Sequence, residues 1–340
     1  MPAKLPHPVC PAPHPLRALL SHDATLFRHT RRLFSEKRFV ELDGNRLVLV
    51  RDLVPGAARR ARALLSIAEA GGVPVQRGID LSASFTLYPF GWWRAFRFES
   101  GETWHRAPPT VIATRRLAIG LARLHRLRPP VGLFDRSRPE ALVRTVVAQA
   151  TAAIQNSTRL SSEERLALLE FVDRQSDRLI PAEGSSLVHG DLHGLNIIVA
   201  PRGQVFFIDT ERMGAGLPLL ELAHALLNLF VKRNANLKAV FLRDYLLRLS
   251  PAGRRAWRQN APALLMFARL VMAWRRHRRS LVLQRRGDHT GAAEAAHFQE
   301  RFLGESLLHL YRLQRAAEKH GITQAQELQT TTRKSAATGA

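Results

Sequence analysis

Apolar and polar positions alternate in the first part of the chain, a pattern typical of β-strands. Two such runs lie within residues 38–53 and flank Asp43-Gly44, a strong turn signal, which predicts an antiparallel β-hairpin. After Pro55-Gly56 the apolar positions recur at helical spacing as far as Gly71-Gly72, which predicts a helix ended by glycine. A further β-rich stretch covers residues 84–90. The chain up to Phe90 therefore predicts a ββαβ arrangement.

The pattern becomes helical from Thr110 onward. Residues 110–127 form an amphipathic repeat, and residues 139–180 hold two more helical patterns that are divided near residues 157–162. A short β-rich interlude covers residues 187–209, and helical patterns then resume over residues 219–317. These periodicities predict an α+β fold with two lobes: a small antiparallel β lobe with one helix, and a large, mainly helical lobe.

Composition narrows the class of protein. The chain has 340 residues, of which 46% are hydrophobic and 23% charged, as in ordinary globular proteins. Its one cysteine, Cys10, excludes an intramolecular disulfide and a cysteine-based metal site and fits a reducing cytoplasm. No apolar run reaches the roughly 18 residues that span a bilayer, and the first residues lack the apolar core of a secretory signal. We therefore predict a cytoplasmic protein without a transmembrane segment.

The formal net charge of +23 leaves two interpretations open. Arginine supplies most of this charge and is spread along the whole chain, as a coding bias would also produce. The densest cluster, residues 274–279 with Arg285 and Arg286, could instead face a phosphate-rich substrate or the anionic surface of the inner membrane. No nucleic-acid-binding motif accompanies the charge, so a nucleic-acid partner is not predicted.

Residues 187–211 carry the strongest chemical signal in the sequence, LVHGDLHGLNIIVAPRGQVFFIDTE. Transfer of a phosphoryl group to an alcohol requires a group that orients the hydroxyl and metal ions that neutralise the phosphates. Asp191 is the candidate for accepting the hydroxyl proton, and Asn196 stands at the D-x-x-x-x-N spacing of a kinase catalytic loop, where the amide oxygen binds Mg²⁺. Asp209 ends the next predicted hairpin and would bring a second oxygen ligand to the metal.

The order of these motifs resembles the aminoglycoside phosphotransferase and choline kinase group of the protein-kinase-like superfamily. The similar segments are ARALLSIAEAGGVPV, SFTLYPFG, LAIGLARLH, HGDLHGLNIIV with IDTE, and GLPLLELA, together covering about residues 38–230. The resemblance implies ATP or GTP as donor, Mg²⁺ bound by Asn196 and Asp209, and Asp191 as base.

The resemblance also implies roles for residues around these three. The purine would contact the hinge backbone at Leu87, Tyr88 and Phe90. His189 would brace the catalytic loop by hydrogen bonding. Glu221, which stands where the related segment usually has Asp, would anchor the same loop.

Two departures concern the nucleotide-binding part of the pattern. The third-strand lysine of this family is replaced by Arg51, whose planar guanidinium is not interchangeable with an ammonium group. The acidic residue that pairs with this lysine is expected near Arg60, but no acid precedes Glu69 in the predicted helix. A module that keeps the fold but handles nucleotide poorly is therefore one alternative function.

The leading hypothesis is an ATP-dependent kinase that phosphorylates a hydroxyl of a small molecule, a sugar or an amino alcohol. A second alternative is a lipopolysaccharide core sugar kinase peripherally bound at the inner membrane, because its relatives share an I-D-x-[DE]-R-like motif similar to residues 208–212. The predicted organisation is a loose leader (1–23), a β lobe with one helix (24–91), a helical lobe that carries the catalytic loop (92–318) and a disordered tail (319–340).

Overall fold

The computed structural model describes residues 30–31, 35–42, 45–52, 55–79, 86–87, 91–107, 110–130, 138–180, 184–230 and 235–319. The chain forms two compact units, each assembled from separate segments. Unit 1 comprises residues 1–135, 185–218 and 228–250, and unit 2 comprises residues 136–184, 219–227 and 251–340. The predicted leader and all of the predicted tail except Lys319 lie outside the described residues. The linear domain boundaries stay a prediction.

All of the described strands belong to unit 1. In chain order they are β1 (Thr30–Arg31), β2 (Ser35–Leu42), β3 (Asn45–Asp52), β4 (Gly78–Ile79), β5 (Thr86–Leu87), β6 (Gly91–Arg97), β7 (Glu102–Thr103), β8 (Ser186–Val188), β9 (Ile197–Ala200), β10 (Gln204–Phe207) and β11 (Gly214–Gly216). They pair antiparallel in a large sheet ordered β1-β2-β3-β6-β4, with β5 also on β6, and in the smaller sheets β10-β9-β7 and β11-β8.

The predicted hairpin is present, with β2 and β3 paired from Ser35 opposite Asp52 to Leu42 opposite Asn45. Its turn, Asp43-Gly44, lies outside the described residues. Strand β3 is the centre of the large sheet, and its residues 47–50 are all buried. The structure adds a strand that the sequence pattern did not indicate: β6 begins beyond the predicted 84–90 stretch and pairs with β3 along residues 92–97.

The helices of the described chain are α1 (Pro55–Ala70), α2 (Val111–Arg126), α3 (Pro139–Gln155), α4 (Ser162–Gln175), α5 (Pro218–Asn228), α6 (Ala235–Leu246), α7 (Pro251–Arg285) and α8 (His289–Lys319). Helix α2 begins where the hydroxyl of Thr110 accepts a hydrogen bond from the backbone N–H of Ala113 at 3.1 Å. Its buried face packs against α6, where Nδ1 of His125 and the hydroxyl of Tyr245 lie 2.6 Å apart.

Unit 2 is a helical assembly in which α7 packs against both α3 and α8. Helix α4 begins with a capping box, because Ser161 and Glu164 each accept a backbone hydrogen bond from the other residue. Helices and antiparallel sheets together confirm the predicted α+β class. Within the described part of the chain, no helix is both long and apolar enough to cross a membrane.

Candidate active site

The H-G-D-L-H-G-L-N segment forms a loop that follows β8 and ends in a short 3₁₀ turn, Gly194–Asn196, before β9. Gly190 has a φ of +78°, a conformation that favours glycine, and a Cβ at this position would collide with the carbonyl of Arg212. The loop therefore lies against the segment that follows β10, and glycine at 190 permits this close approach.

His189 is fully buried beneath this loop. Its Nε2 lies 2.9 Å from the carbonyl oxygen of Ile208 and must donate to it, since a carbonyl can only accept. Nδ1 of the neutral ring is then free of a proton and accepts from the backbone N–H of Asp191 at 3.4 Å. The ring thus joins the H-G-D-L-H-G-L-N loop to the end of β10 in one defined tautomer.

The carboxylate of Asp191 is partly buried and lies between two nitrogen-bearing side chains. Nε2 of His193 is 3.9 Å from Oδ2, and Nη1 of Arg212 is 3.9 Å from Oδ1. Nδ1 of His193 accepts from the N–H of Leu195 at 3.2 Å, so the neutral ring carries its proton on Nε2, toward the carboxylate. Both distances are longer than those of direct hydrogen bonds.

Asn196 is fully buried at the end of the loop, and its amide has a defined orientation. Nδ2 donates to the carbonyl oxygen of Asp191 at 2.9 Å, whereas the flipped amide would place two acceptors against each other. Oδ1 is consequently fixed on the opposite side. Among the described residues it has no hydrogen-bond partner although it is buried. A buried acceptor without a partner costs free energy, so this oxygen is a candidate metal ligand.

Asp209 follows β10 in the left-handed region, with φ 62° and ψ 47°. Such a conformation costs a non-glycine residue on the order of 1 kcal/mol and is tolerated best by Asn and Asp. The strand before it is fixed by tertiary hydrogen bonds: the N–H of Phe207 donates to Pro74 at 2.7 Å, and the N–H of Gln76 donates to Phe207 at 2.8 Å. The unusual backbone of Asp209 is therefore imposed by well-anchored neighbours.

The donors of this region suit a hard cation. Oδ1 of Asn196 is an amide oxygen, Asp209 offers carboxylate oxygens, and a second buried oxygen without a hydrogen-bond partner in the described chain, Oε1 of Glu211, follows two residues later. Mg²⁺ prefers oxygen ligands and takes few of them from protein when phosphates supply the rest. The residues present therefore fit the magnesium ion that the sequence predicts.

The structure describes the predicted nucleotide-binding residues only in part. Arg51 lies in β3 opposite Glu36 and Trp93, but its side chain lies outside the described residues. Leu87 pairs with Gly91 in the hairpin that leads into β6. Tyr88 and Phe90 also lie outside the described residues.

Glu221 and the acidic residues of α1 are placed by the structure as follows. Glu221 is buried in α5, within unit 2. The first turn of α1 holds no acidic residue, and Arg60 is exposed. Glu69 lies at the opposite end of that helix, where its carboxylate accepts from the N–H of Gly78 at 3.4 Å.

One neighbour of the loop, His105, carries no signal in the local sequence. His105 lies so close to Gly194 that an added Cβ would come within 2.6 Å of the imidazole ring. His105 is exposed and stands far from the motif in the chain, so no local pattern indicates it. Gly194 is thus required by the close packing of the His105 side chain against this loop.

Comparison with solved structures identifies the fold. Spectinomycin phosphotransferase with ADP and spectinomycin bound has a TM-score of 0.59 at 12% identity, covering 84% of this chain and 93% of that chain. Ethanolamine kinase from Plasmodium vivax has 0.58 at 14% identity, covering 86% and 85%. Choline kinase from Cryptosporidium parvum Iowa II has 0.56 at 13% identity, covering 89% and 93%. These similarities establish a kinase-like fold.

Sequence comparison identifies the family. No curated protein matches the chain significantly. A model of the phosphotransferase enzyme family matches residues 31–263, which include all of the motif residues discussed above. The match covers most of the chain, and the solved structures agree with it. This protein therefore belongs to the phosphotransferase enzyme family, whose members phosphorylate hydroxyl groups of small molecules.

Proposed function

We propose that this protein transfers the terminal phosphoryl group of ATP or GTP to a hydroxyl of a sugar or an amino alcohol. The observation that carries the proposal is the state of Asn196: its amide nitrogen is bonded to Asp191, and its amide oxygen is buried without a partner in the described chain. A loop with only a structural role would provide a hydrogen-bond donor for that buried oxygen. An oxygen held in this way beside an aspartate fits a site that binds a metal ion next to a base.

In the proposed reaction, Asp191 accepts the proton of the attacking hydroxyl, a role worth about 10²- to 10⁴-fold in rate. His193 and Arg212 flank its carboxylate and would hold it in a fixed direction. Arg212 also brings positive charge to the place where the phosphoryl group would pass. His189 keeps the loop in register with Ile208.

Asn196 and Asp209 are the proposed ligands of Mg²⁺. When bound, the metal would neutralise charge on the nucleotide phosphates during transfer. Arg51, Leu87, Tyr88 and Phe90 are the proposed nucleotide contacts. Nucleotide use is supported by the ADP bound to the related spectinomycin phosphotransferase. Arg51 in place of lysine would bind phosphate through a planar fork, which demands a different phosphate geometry.

A transfer assay with labelled ATP and GTP tests this function directly. The acceptor panel contains sugars, choline, ethanolamine and aminoglycosides, and the variants are Asp191→Ala, Asp209→Ala and the control Asp173→Ala, an exposed residue of α4. Asp191→Ala should abolish transfer while nucleotide binding persists, whereas Asp209→Ala should weaken binding of Mg²⁺-nucleotide itself. Control-like transfer by both variants would refute the assigned roles.

One observation favours a more specific acceptor. Arg212 lies 3.9 Å from Asp191 and is half exposed, so a positive charge borders the proposed base. Such a charge suits an acceptor that already carries phosphate, as in the lipopolysaccharide core, at the surface of the inner membrane. The test compares phosphorylated and unphosphorylated core oligosaccharides. A preference for the phosphorylated acceptor that Arg212→Gln removes would support this assignment, and equal rates would exclude it.

Thermal unfolding of the wild-type protein with and without nucleotide tests the alternative, a binding module without efficient transfer. A nucleotide-competent enzyme should show a higher unfolding midpoint with ATP and Mg²⁺ than with either alone. Absence of this stabilisation, together with no turnover on the whole acceptor panel, would favour a module with impaired nucleotide handling.

A further inference from the structure

The last turns of helix α7, together with the adjoining Arg286, present a basic face to solvent. The exposed positions of this segment are Arg275, Arg278, Arg279, Leu281, Gln284, Arg285 and Arg286. The opposite side packs against α8, where the hydroxyl of Ser280 donates to the carbonyl oxygen of Ala292 at 2.9 Å. The five arginines, called the arginine face below, therefore share one side of a helix whose other side is fixed to its neighbour.

Most of the charge on the arginine face has no acidic partner in the described part of the chain. Within that part, no ion pair is formed by Arg278, Arg279, Arg285 or Arg286. Asp288, the acid in the turn between α7 and α8, instead accepts from the backbone N–H of Gly291 at 2.8 Å. Like charges one turn apart on a helix, such as Arg275 and Arg279, destabilise it. An anionic partner would remove this cost.

The density of charge distinguishes the arginine face from the rest of unit 2. The segment from Arg275 to Arg286 is roughly 17 Å long at the helical rise of about 1.5 Å per residue. Other exposed arginines of this unit lie in four different segments: Arg144, Arg159, Arg178 and Arg258. Charge concentrated on one face attracts an anionic surface more strongly than the same charge spread over a molecule.

Apolar side chains accompany the arginines. Leu281 is 37% exposed and lies between Arg278 and Arg285 at the i, i+3, i+7 spacing of one helical row. Val282, in the adjoining row, is half-buried. At the other end of the face, the guanidinium of Arg278 lies 5.8 Å from the ring centroid of the half-buried Trp274. Arginine mixed with leucine and tryptophan is typical of surfaces that bind at the headgroup layer of a membrane.

We propose that the arginine face is a docking surface for an anionic lipid bilayer. The arginines contact lipid phosphates, and Leu281 enters the headgroup layer, where an exposed apolar side chain leaves water. A nucleic acid is a polyanion too, but it offers no apolar layer to Leu281. The indole of Trp274 is also already stacked on the ring of His277, with centroids 5.5 Å apart, which disfavours stacking on a base. Lipid therefore fits this surface better than nucleic acid does.

The experiment measures co-sedimentation of the full-length protein with vesicles of phosphatidylcholine, prepared with and without phosphatidylglycerol. The face variant combines Arg278→Gln, Arg279→Gln, Arg285→Gln and Arg286→Gln. The matched control removes the same charge from the scattered sites and combines Arg144→Gln, Arg159→Gln, Arg178→Gln and Arg258→Gln. A third variant, Leu281→Ser, leaves the net charge unchanged. The thermal unfolding midpoint of each variant shows whether it is folded.

The wild type and the control should bind the vesicles that contain phosphatidylglycerol and not those of phosphatidylcholine alone. One arginine near an anionic surface contributes about 5-fold in affinity, so the face variant should bind at least about 100-fold more weakly. Leu281→Ser should bind about 3-fold more weakly, because the exposed part of one leucine is lost. Raising the ionic strength from about 0.01 M to about 0.1 M should weaken binding by the wild type.

Two outcomes of the vesicle measurement would overturn the proposal. One is equal weakening in the face variant and the control, since the whole charge and not the arginine face would then drive binding. The other is a wild type that does not prefer phosphatidylglycerol. If the combined face variant does not fold, Arg279→Gln and Arg286→Gln are measured singly, and each should bind about 5-fold more weakly than the wild type.

A single-stranded RNA oligonucleotide tests the other class of polyanion. Tighter binding of RNA than of the anionic vesicles, with no effect of Leu281→Ser, would assign the arginine face to nucleic acid and overturn lipid docking. The proposal does not rest on the proposed transfer reaction. Asp191→Ala, which should remove transfer, is expected to leave vesicle binding unchanged, so the two proposals can fail separately.

Discussion

At the scale of single residues, the side-chain amide of Asn196 has two distinct roles. Its nitrogen donates to the backbone of the proposed base, Asp191, and its oxygen is buried without a hydrogen-bond partner in the described chain. Replacement of Asn196 by Ala removes both the hydrogen bond to Asp191 and Oδ1. We expect the transfer rate to fall by at least about 100-fold, because loss of groups that only support a ligand already costs 10- to 100-fold. Initial rates measured against Mg²⁺ concentration should also show a higher requirement for the metal. The control, Leu195→Ala, alters the exposed neighbour. If Asn196→Ala keeps the wild-type dependence on Mg²⁺ concentration, Asn196 is not a ligand of the metal.

Gly190 offers a second test, because it combines a positive φ with contact to the Arg212 carbonyl. We expect Gly190→Ala to lower the free energy of unfolding by about 2–4 kcal/mol, from backbone strain and overpacking together. Gly287 has a similar φ of +75° but open space around its Cβ position. Gly287→Ala should therefore cost only about 1 kcal/mol. Urea unfolding of the two variants measures the difference, and equal costs would show that contact with Arg212 contributes nothing.

His309 predicts a pH dependence of stability. Its pKa in the folded protein is lowered below 6.5 by burial and by Arg269, while Arg312 on its own helix acts in the same direction. The unfolded state therefore takes up a proton at higher pH than the folded state does. The stability linked to the neutral ring is present above pH 6.5 and is lost as pH falls through the folded-state pKa. The midpoint of thermal unfolding should fall less steeply over this pH range in His309→Gln than in the wild type. His297 is an exposed residue on α8, so the midpoint of His297→Gln should follow that of the wild type. Parallel curves for all three proteins would contradict the assignment.

The motif residues could be singled out from sequence because their chemistry depends on short spacings. Asp191 and Asn196 lie in one loop, and the bond between them spans a single turn. The approach of Arg212 to Asp191 and of His105 to Gly194 could not be inferred, because each joins segments that only the tertiary fold brings together. The unsatisfied state of Oδ1 in Asn196 likewise depends on packing and not on residue type.

At the scale of elements, local signals fixed the helices better than the strands. Helices α2 and α4 begin close to where the apolar periodicity predicts, and Thr110 and Ser161 cap them by contacts between near neighbours in the chain. Strand β6 was missed since its sequence, GWWRAFR, is stabilised by pairing with β3, some forty residues earlier in the chain. Strand formation depends on such distant partners more than on intrinsic preference.

Hydrogen bonds connect the residues that follow α3 to Glu300 on α8. We expect these bonds to stabilise the folded protein. The carboxylate of Glu300 accepts from the hydroxyl of Ser157 at 2.6 Å and from the backbone N–H of Thr158 at 3.0 Å. Glu300→Ala should lower the free energy of unfolding by about 1.5–3 kcal/mol, the range for bonds to a charged acceptor. Glu170→Ala, which removes only an exposed pair with Arg174, should cost at most about 0.5 kcal/mol. Equal losses of unfolding free energy in the two variants would mean that the hydrogen bonds of Glu300 stabilise the fold no more than a surface ion pair does.

At the scale of the whole molecule, the assembly of each unit from separate segments could not be anticipated from sequence. Residues 185–218 belong to unit 1, and residues 219–227 belong to unit 2, although they adjoin in the chain. Local periodicity reports where a helix begins and not which core it joins. The class of fold was nevertheless predictable, since the succession of strand and helix patterns restricts the architectures that can bury their apolar faces.

The net charge of +23 makes a prediction for the molecule as a whole. Like charges repel one another in the compact state more than in the expanded unfolded chain, so the excess of arginine should destabilise the fold at low salt. The Debye length falls from about 30 Å at 0.01 M to about 10 Å at 0.1 M ionic strength, which screens long-range repulsion but spares contacts such as that of Arg301 with Glu305. The unfolding midpoint should therefore rise with NaCl over this range, measured by calorimetry at fixed pH. A midpoint that falls with NaCl would show that attractive ion pairs outweigh the repulsion and that the arginines are arranged to compensate one another.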